Sequence, residues 1–296
     1  MIVGHIDMKK PYITIFTPTY NRADLLSRLY SSLRSQSVKD FEWLVVDDGS
    51  TDSTKLLVEA WVKSEDSFNI KYIYQDNGGK HRAINNGLGV ASGRMFFIVD
   101  SDDILSRDAV SKIIDSAKEL PDDPSFAGIA KQKGYMNGAP VGSTFNEKYI
   151  DATSLERKKH NINGDKAEVF FTDIISRYRF PEFDGEKFMD EAYLWNKIAM
   201  DGYKLRWDND IVYLCEYLEG GLTKSRNTRY SGSPRGYELY VRQLLMQATT
   251  LLDKIRLSSM YARDVYNYSD NRRAASDLGV HVAYVLIGRI LRLIVD

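Results

Sequence analysis

The sequence has little of several things that would point to particular classes of protein. Cys215 is the only cysteine among 296 residues, which excludes an internal disulfide and a zinc site built from several cysteines. The 40 lysines and arginines are matched by 41 acidic residues, so the basic excess typical of nucleic-acid binding is missing. We therefore expect no nucleic-acid partner.

Long apolar runs are also missing. No stretch approaches the ~20 apolar residues of a membrane-spanning helix. The opening residues, MIVGHIDMKKPYITIF, lack the charged-then-apolar order of a signal peptide. Hydrophobic residues make up 43% of the chain, enough for a large core. These features predict a globular protein in a reducing, cytoplasmic setting.

The first part of the chain alternates between two kinds of segment. Short apolar runs predict buried strands at 12–20, 41–48, 70–76 and 94–100. Segments with apolar residues at helical spacing predict helices at 23–36, 53–65 and 81–92. This order predicts an α/β fold with a mostly parallel central sheet and helices on both faces.

The alternation of predicted strands and helices ends beyond residue 125. Segment 134–154 is rich in loop-forming residues, and the pattern from Tyr237 to the end is helical. Further helices are predicted at 168–178 and 190–200. Further strands are predicted at 203–207 and 210–217.

A polar cluster follows each of the first four predicted strands. The clusters are TPTYNR (17–22), DDGSTD (47–52), QDNGGK (75–80) and SDD (101–103). Parallel α/β sheets bind ligands in the crevice beyond the carboxyl ends of their strands. We therefore expect one crevice to collect all four clusters.

The fourth cluster carries the most charge. In FFIVDSDDIL (96–105), a hydrophobic strand precedes Asp100, Asp102 and Asp103. Carboxylates this close oppose one another unless a cation lies among them, and Mg²⁺ or Mn²⁺ bound with substrate phosphates would suit. The alternative is a solvated turn in which Asp103 caps the next helix.

Two other clusters are ambiguous when taken alone. Asp48 ends a predicted strand and could accept hydrogen bonds from a base or ribose, or simply belong to a strand-to-helix loop. Gly78 and Gly79 would let the backbone approach a ligand, and Lys80 opens a predicted helix. A helix N-terminus with basic donors suits a diphosphate, although a solvent-facing basic turn is the plainer alternative.

With these four motifs in order, residues 10–120 resemble the family 2 glycosyltransferases, nucleotide-sugar enzymes of the GT-A fold. The resemblance implies a metal, Mn²⁺ or Mg²⁺, held by Asp102. It also implies a donor, UDP-linked by preference, whose base pocket is lined by Thr17, Pro18 and Tyr20 and whose uracil bonds Asp48. The full set of donor-binding residues is then Thr17, Pro18, Tyr20, Arg22, Asp48, Asn77, Lys80, Asp100 and Ser101.

The second half has a weaker resemblance to bacterial capsule and O-antigen members of that family. In FMDEAYLW (188–195) the acidic pair on the acceptor side makes Glu191 the general base by position. The family usually has Glu-Asp, however, and the reversed order leaves Asp190 as a competitor. The segment 163–170 is expected to shape the acceptor pocket, and the segment 216–229, with Lys224 and Arg226, to cover the donor.

The last segment, GVHVAYVLIGRILRLIVD (279–296), predicts an amphipathic helix. On a helical wheel His281, Gly288, Arg289, Arg292 and Asp296 share one side, opposite valine, leucine and isoleucine. An interfacial helix on the inner membrane fits this pattern, and a helix packed on the domain or in a dimer is the alternative.

The expected organisation is a catalytic domain over 1–230 and a helical region over 231–296. The catalytic domain divides into a nucleotide-sugar half, 10–120, and an acceptor half, 121–230. The expected function is inverting, metal-dependent transfer of a sugar to a glycan or polyprenyl-linked acceptor in surface polysaccharide synthesis. A sugar nucleotidyltransferase and a non-catalytic nucleotide- or carbohydrate-binding module are the alternatives.

Overall fold

The computed structural model describes residues 10–216 and 226–295. The chain divides into two compact units. The first unit is Met1–Arg179 with Trp195–Tyr217, and the second is Phe180–Leu194 with Leu218–Asp296.

The first unit is built on one sheet. Its strands are β1 (Ile13–Thr19), β2 (Phe41–Asp47), β3 (Asn69–Tyr74), β4 (Met95–Ile98), β5 (Ile104–Leu105), β6 (Phe126–Tyr135), β7 (Ile150–Ala152), β8 (Lys166–Phe171) and β9 (Lys204–Cys215). The order is β3-β2-β1-β4-β8-β6-β9-β5, with β7 beside β9. Strands β1 to β4 are parallel, which confirms the prediction for this half of the sheet. Strand β8 runs antiparallel to both neighbours.

Helices connect and follow these strands. They are α1 (Ala23–Arg34), α2 (Thr54–Ser64), α3 (Lys80–Val90), α4 (Ala109–Lys118), α5 (Thr172–Ile175) and α6 (Ala192–Met200). The chain folds locally in this way because its apolar residues recur at matching periods. In α1, for example, Leu26, Leu29 and Leu33 fall on one face and are fully buried. All seven residues of β1 are buried, as expected for a parallel strand covered on both faces.

One predicted helix is wrong. Residues 168–171 belong to β8, and only the short α5 follows, so the expected helix over 168–178 does not form. Strand β8 lies between β4 and β6, and each of its residues is buried or half-buried. A strand buried on both faces is apolar without alternation, and periodicity cannot separate it from a buried helix. The two strands predicted at 203–207 and 210–217 are one continuous strand, β9.

The described part of the second unit is helical. Its helices after residue 225 are α7 (Arg226–Ser231), α8 (Pro234–Gln247), α9 (Leu251–Tyr266), α10 (Asn271–Leu278) and α11 (Val282–Val295). Stacked tyrosines form part of its core, with the ring centres of Tyr230 and Tyr237 3.8 Å apart. The predicted helical C-terminal extension is confirmed.

Helix α11 turns its apolar side outward. Val285 and Gly288 are buried, and a Cβ on Gly288 would lie 2.5 Å from Ser259 Cβ of α9, so glycine is what permits this close packing. Five large apolar residues remain 40–77% exposed: Leu286, Ile287, Ile290, Leu291 and Leu293. No helix among the described residues is both long enough and apolar enough to span a bilayer.

Candidate active site

The loops after β1 and β2 are joined by hydrogen bonds. The backbone N–H of Asn21 donates to Ser50 Oγ at 2.8 Å, and Asn21 Oδ1 accepts from the backbone N–H of Thr51 at 2.8 Å. The amide of Ala23, where α1 begins, donates to Asp52 Oδ2 at 3.1 Å. Asn21 has a φ of +50°, a conformation that asparagine tolerates better than most residues. Two of the predicted clusters therefore form one surface.

Asp48 ties the loop after β2 to the loop after β3. Its carboxylate accepts from the backbone N–H groups of Gly78 and Gly79 at 2.7 and 2.8 Å. It also accepts from Gln75 Nε2 at 2.7 Å and Asn77 Nδ2 at 3.3 Å. Asp48 is only 6% exposed, so its side chain organises this loop, and contact with a base would require one of these bonds to be exchanged.

The acidic turn after β4 is connected in the same way. Lys80, the first residue of α3, forms an ion pair with Asp100. The Tyr213 hydroxyl donates to Asp103 Oδ2 at 2.7 Å and accepts from the backbone N–H of Asp100 at 3.0 Å. The loops that follow β3 and β4 are thus joined to each other and to β9. The four polar clusters meet at the carboxyl edge of the parallel strands, as expected.

The carboxyl groups of Asp100 and Asp103 in this turn have pKa values shifted in opposite directions. Burial opposes ionisation of Asp100, but Lys80 and Lys133 outweigh it and lower the pKa of this carboxyl. Burial and the neighbouring Asp100 and Asp102 raise the pKa of Asp103 to about 6, although the hydrogen bond from Tyr213 opposes that rise. Asp100 is therefore ionised at neutral pH and already balanced by lysine.

Asp102 differs from both neighbours. It is half-buried and makes no hydrogen bond or ion pair with any residue that the structure describes. Within the same residues, no group of three or more histidine, cysteine or acidic side chains could hold a metal ion. A metal here would thus need oxygens from a ligand, which suits Mg²⁺ or Mn²⁺ bound by one carboxylate and phosphates. The residues present fit that arrangement.

The remaining predicted donor residues fall into two groups. Tyr20 is 47% exposed and Arg22 is half-exposed, both just beyond the end of β1. Thr17, Pro18 and Ser101 are buried. The Thr17 hydroxyl accepts from Trp43 Nε1 at 2.9 Å. The structure therefore places the Thr17 side chain in the core rather than in an open base pocket, because it serves the packing of β1 on β2.

The acidic pair lies in the second unit. Asp190 Oδ1 accepts from the backbone N–H of Ala192, where α6 begins, at 3.0 Å. Asp190 Oδ2 accepts from the Tyr230 hydroxyl at 3.2 Å. Both bonds give Asp190 a structural role at the helix start. Glu191, the next residue, is half-buried.

The sequence analysis also expected segment 163–170 to shape the acceptor pocket and segment 216–229 to cover the donor. Lys166 is 5% exposed and donates to the Ser143 carbonyl at 2.8 Å, so it belongs to the sheet. Asp165 beside it is exposed. Lys224 lies outside the described residues, and for Arg226 only the backbone of α7 is described.

Sequence reasoning missed two residues at the acidic turn. Tyr213 and Lys133 lie on β9 and β6, which pair in parallel and place the two residues opposite each other. Their segments carry no polar motif, and Tyr213 is 110 residues from its partner Asp103. Only the pairing of β9 with β5 and β6 reveals the connection.

A half-parallel sheet with an acidic turn at the end of its fourth strand defines the GT-A class of fold. Two solved structures share it. S. aureus TarS 1-349, in complex with UDP-GlcNAc, has a TM-score of 0.62 at 19% identity, covering 95% of this chain and 91% of that one. The mannosyltransferase PcManGT from Pyrobaculum calidifontis, in complex with GDP-Man and Mn²⁺, has a TM-score of 0.60 at 20% identity, covering 97% and 81%.

The family follows from the sequence match. The family model described as glycosyl transferase family 2 matches residues 14–179, more than half of the chain. The protein belongs to this family. One relative is a GalNAc(5)-diNAcBac-PP-undecaprenol beta-1,3-glucosyltransferase from Campylobacter jejuni, 31% identical over 191 residues. That alignment covers 62% of this chain and 59% of the relative, so the chain spans less than two thirds of the relative's length.

Proposed function

We propose that this protein is an inverting, metal-dependent glycosyltransferase that moves a sugar from a nucleotide donor to a lipid-linked or oligosaccharide acceptor. The acidic turn carries the proposal. Asp100 and Asp103 are engaged by protein groups, whereas Asp102 has no partner among the described residues. That division suits one metal ligand beside a diphosphate. Family membership supports sugar transfer, and the Campylobacter relative, whose name specifies an undecaprenol-linked glycan, supports a polyprenyl-linked acceptor. We place the reaction in bacterial surface polysaccharide synthesis as part of the same proposal.

The donor would lie along the carboxyl edge of β1 to β4. The exposed ring of Tyr20 can stack on a base, and Arg22 and Lys80 can donate to ribose or diphosphate oxygens. Asp102 would hold the metal, which when bound neutralises charge that grows on the departing diphosphate. UDP is the nucleotide we favour, supported by the UDP-GlcNAc complex of TarS.

The acidic pair supplies the proton chemistry in this proposal. Glu191 takes the proton of the acceptor hydroxyl as general base. The oxygen attacks the anomeric carbon from the face opposite the nucleotide, the bond to the diphosphate breaks, and UDP leaves with its electron pair. A single displacement inverts the anomeric configuration. Asp190 is the competing candidate for base, and its carboxylate accepts from the Ala192 amide and the Tyr230 hydroxyl.

Calorimetry of UDP binding tests the donor site directly. UDP should bind with Mn²⁺ present, and Asp102→Ala should lose the dependence on metal while keeping the fold. Binding of GDP or TDP in place of UDP would change the base but keep the class. Failure of every nucleotide to bind would overturn the proposal. Formation of pyrophosphate from UTP and a sugar phosphate would instead indicate a nucleotidyltransferase, and binding without any turnover a non-catalytic module.

The proposed organisation keeps the catalytic domain at 1–230 and the helical region at 231–296. We propose that α11 rests on the inner face of the cell membrane. The outward Ile290 and Leu293 supply apolar contact, and the exposed Arg289 and Arg292 suit anionic lipid. Enzyme and a polyprenyl-linked acceptor would then share one surface.

A further inference from the structure

Lys133 is a second cation beside the acidic turn. It lies on β6 opposite Tyr213 of β9, and its Nζ is 4.2 Å from the centre of the Tyr213 ring. The hydroxyl of that ring holds Asp103 and the amide of Asp100. A protonated amine over an aromatic face is attracted by the ring, and here that attraction keeps the amine next to the turn.

The Lys133 ammonium has no oxygen partner in the part of the chain that the structure describes. Five other buried or half-buried lysines of the first unit donate to protein oxygens: Lys39, Lys71, Lys80, Lys131 and Lys166. The half-buried Lys112 of α4, like Lys133, does not do so within the described residues. An ammonium has three N–H donors, and the Lys133 side chain is half-buried, so its Nζ can donate to a ligand that enters from solvent. The site is therefore prepared for an anion that the protein does not itself supply.

The charge of Lys133 is maintained by its surroundings. Burial alone would lower the pKa of the amine, but Asp100 and Asp165 outweigh burial and raise it. Neither carboxylate forms an ion pair with this ammonium in the described structure. The lysine is thus a cation at neutral pH, and its N–H groups are still available to a ligand.

We infer that Lys133 is a donor-binding residue that takes an anionic oxygen of the nucleotide sugar. The oxygen belongs either to the diphosphate or to a carboxylate on the transferred sugar, because both accept charge-assisted hydrogen bonds from an ammonium. The inference rests on the proposed function, since it requires a nucleotide sugar at the turn. Lys133 would be the third cation at the donor site, after Arg22 and Lys80. If the bound oxygen belongs to a sugar carboxylate, Lys133 determines specificity for acidic sugars.

Calorimetry with three ligands in the presence of Mn²⁺ tests the inference: UDP, UDP-glucose and UDP-glucuronic acid. Lys133→Met keeps the length and apolar stem of the side chain and removes the charge. Lys204→Met is a matched control, because Lys204 Nζ also lies near an aromatic ring, 5.7 Å from the centre of Phe126, but at the start of β9. We expect at least ~10-fold weaker binding for the Lys133 variant and no change for the control.

The pattern across ligands identifies the oxygen. Equal weakening for all three ligands assigns Lys133 to the diphosphate, whereas weakening confined to UDP-glucuronic acid assigns it to a sugar carboxylate. Lys133→Arg should retain most of the affinity, because it keeps the positive charge. If thermal unfolding shows that the methionine variant does not fold, Lys133→Gln replaces it as the variant without the charge.

Two results would overturn the inference in distinguishable ways. If the folded methionine variant binds all three ligands within about two-fold of the wild type, which is less than ~0.5 kcal/mol, then Lys133 only balances Asp100. The proposed function would survive that result. If the wild-type protein binds no nucleotide at all, the proposed function and the inference fall together.

Discussion

The Tyr213 hydroxyl donates to Asp103 at 2.7 Å and accepts from the amide of Asp100 at 3.0 Å, so one buried phenol holds both ends of the acidic turn. Tyr213 is fully buried on β9 and cannot follow the turn if the turn moves. Asp102, which lies between them and has no partner among the residues that the structure describes, is thereby held in position. The proposed metal ligand is positioned by a strand that is remote in sequence.

Removing the Tyr213 hydroxyl should lower the stability of the protein and should also weaken the effect of Mn²⁺ on UDP binding. Tyr213→Phe leaves the Asp103 carboxylate without its donor, which should cost about 1–2 kcal/mol of unfolding free energy. It should also raise the Mn²⁺ concentration needed for UDP binding, because the turn loses its anchor. Tyr178→Phe is the control, since Tyr178 donates to Asp201 at the same 2.7 Å away from the turn. Equal effects of both variants on Mn²⁺ dependence would contradict a positioning role for Tyr213.

The acidic pair gives a prediction about rate. Glu191→Gln should lower kcat by roughly 10²–10⁴-fold, the usual contribution of a general base, and leave UDP affinity unchanged. Asp190→Asn should instead lower stability by about 0.5–2 kcal/mol through its weakened cap and change kcat much less. Steady-state kinetics and thermal unfolding of both variants measure the difference. The reverse ranking of the two kcat values would make Asp190 the base.

Asp48 gives a prediction about loop order. Asp48→Asn replaces two strong acceptors with one oxygen and an amide that repels the N–H groups of Gly78 and Gly79. We expect a loss of about 1–3 kcal/mol in unfolding free energy. Asp76→Asn, in the same loop but exposed, should be neutral. Denaturant unfolding of the two variants decides the matter, and an unaltered midpoint for Asp48→Asn would show that the loop does not depend on this carboxylate.

Glu42 gives a prediction about pH. It is 1% exposed and accepts from Lys71 Nζ at 2.8 Å, Thr14 Oγ1 at 2.6 Å and Ser92 Oγ at 2.6 Å. Burial opposes its ionisation, but these bonds outweigh burial and lower its pKa. A lowered pKa means that the unfolded chain binds the proton more readily. The stability from Glu42 is therefore present above the unfolded value, near 4.5, and is lost as pH falls through the folded pKa.

Replacement of Glu42 isolates that contribution. Glu42→Gln should destabilise the protein by about 2–3 kcal/mol at pH 7, because Lys71 is left largely buried without a carboxylate. The difference from the wild type should shrink as the pH is lowered below 4.5. Urea unfolding at several pH values measures it, and a difference that is constant with pH would assign the loss to packing alone.

The outward face of α11 gives a prediction about membranes. Ile290→Asp combined with Leu293→Asp should abolish binding to vesicles containing phosphatidylglycerol, since both side chains are among the most exposed apolar residues of the helix. Leu56→Asp is the control, because Leu56 is 72% exposed on α2. Vesicle co-sedimentation gives the readout. If vesicles never bind the wild type but the double variant dissociates a dimer, the face belongs to a second copy of the chain.

The helical wheel described α11 correctly and left its orientation open. Sequence alone separates the valine, leucine and isoleucine side from the side with Gly288 and Arg292. A helix that packs on a domain normally buries its apolar side. Here Gly288 fits against Ser259 and the apolar residues Leu286, Ile290 and Leu293 stay outside, because a glycine at the contact point lets two helix backbones approach closely. Wheel geometry contains no information about that choice.

The sequence by itself determined the parallel half of the sheet, the meeting of four polar clusters at one edge, and the acidic turn. These follow from local periodicity and from the rule that parallel strands end on the same side. Only the tertiary structure decided that β8 is a strand, that the Asp48 carboxylate is committed to Gly78 and Gly79, and that Tyr213 and Lys133 stand beside Asp100. Those facts depend on pairing between segments far apart in the chain, and no local pattern encodes such pairing.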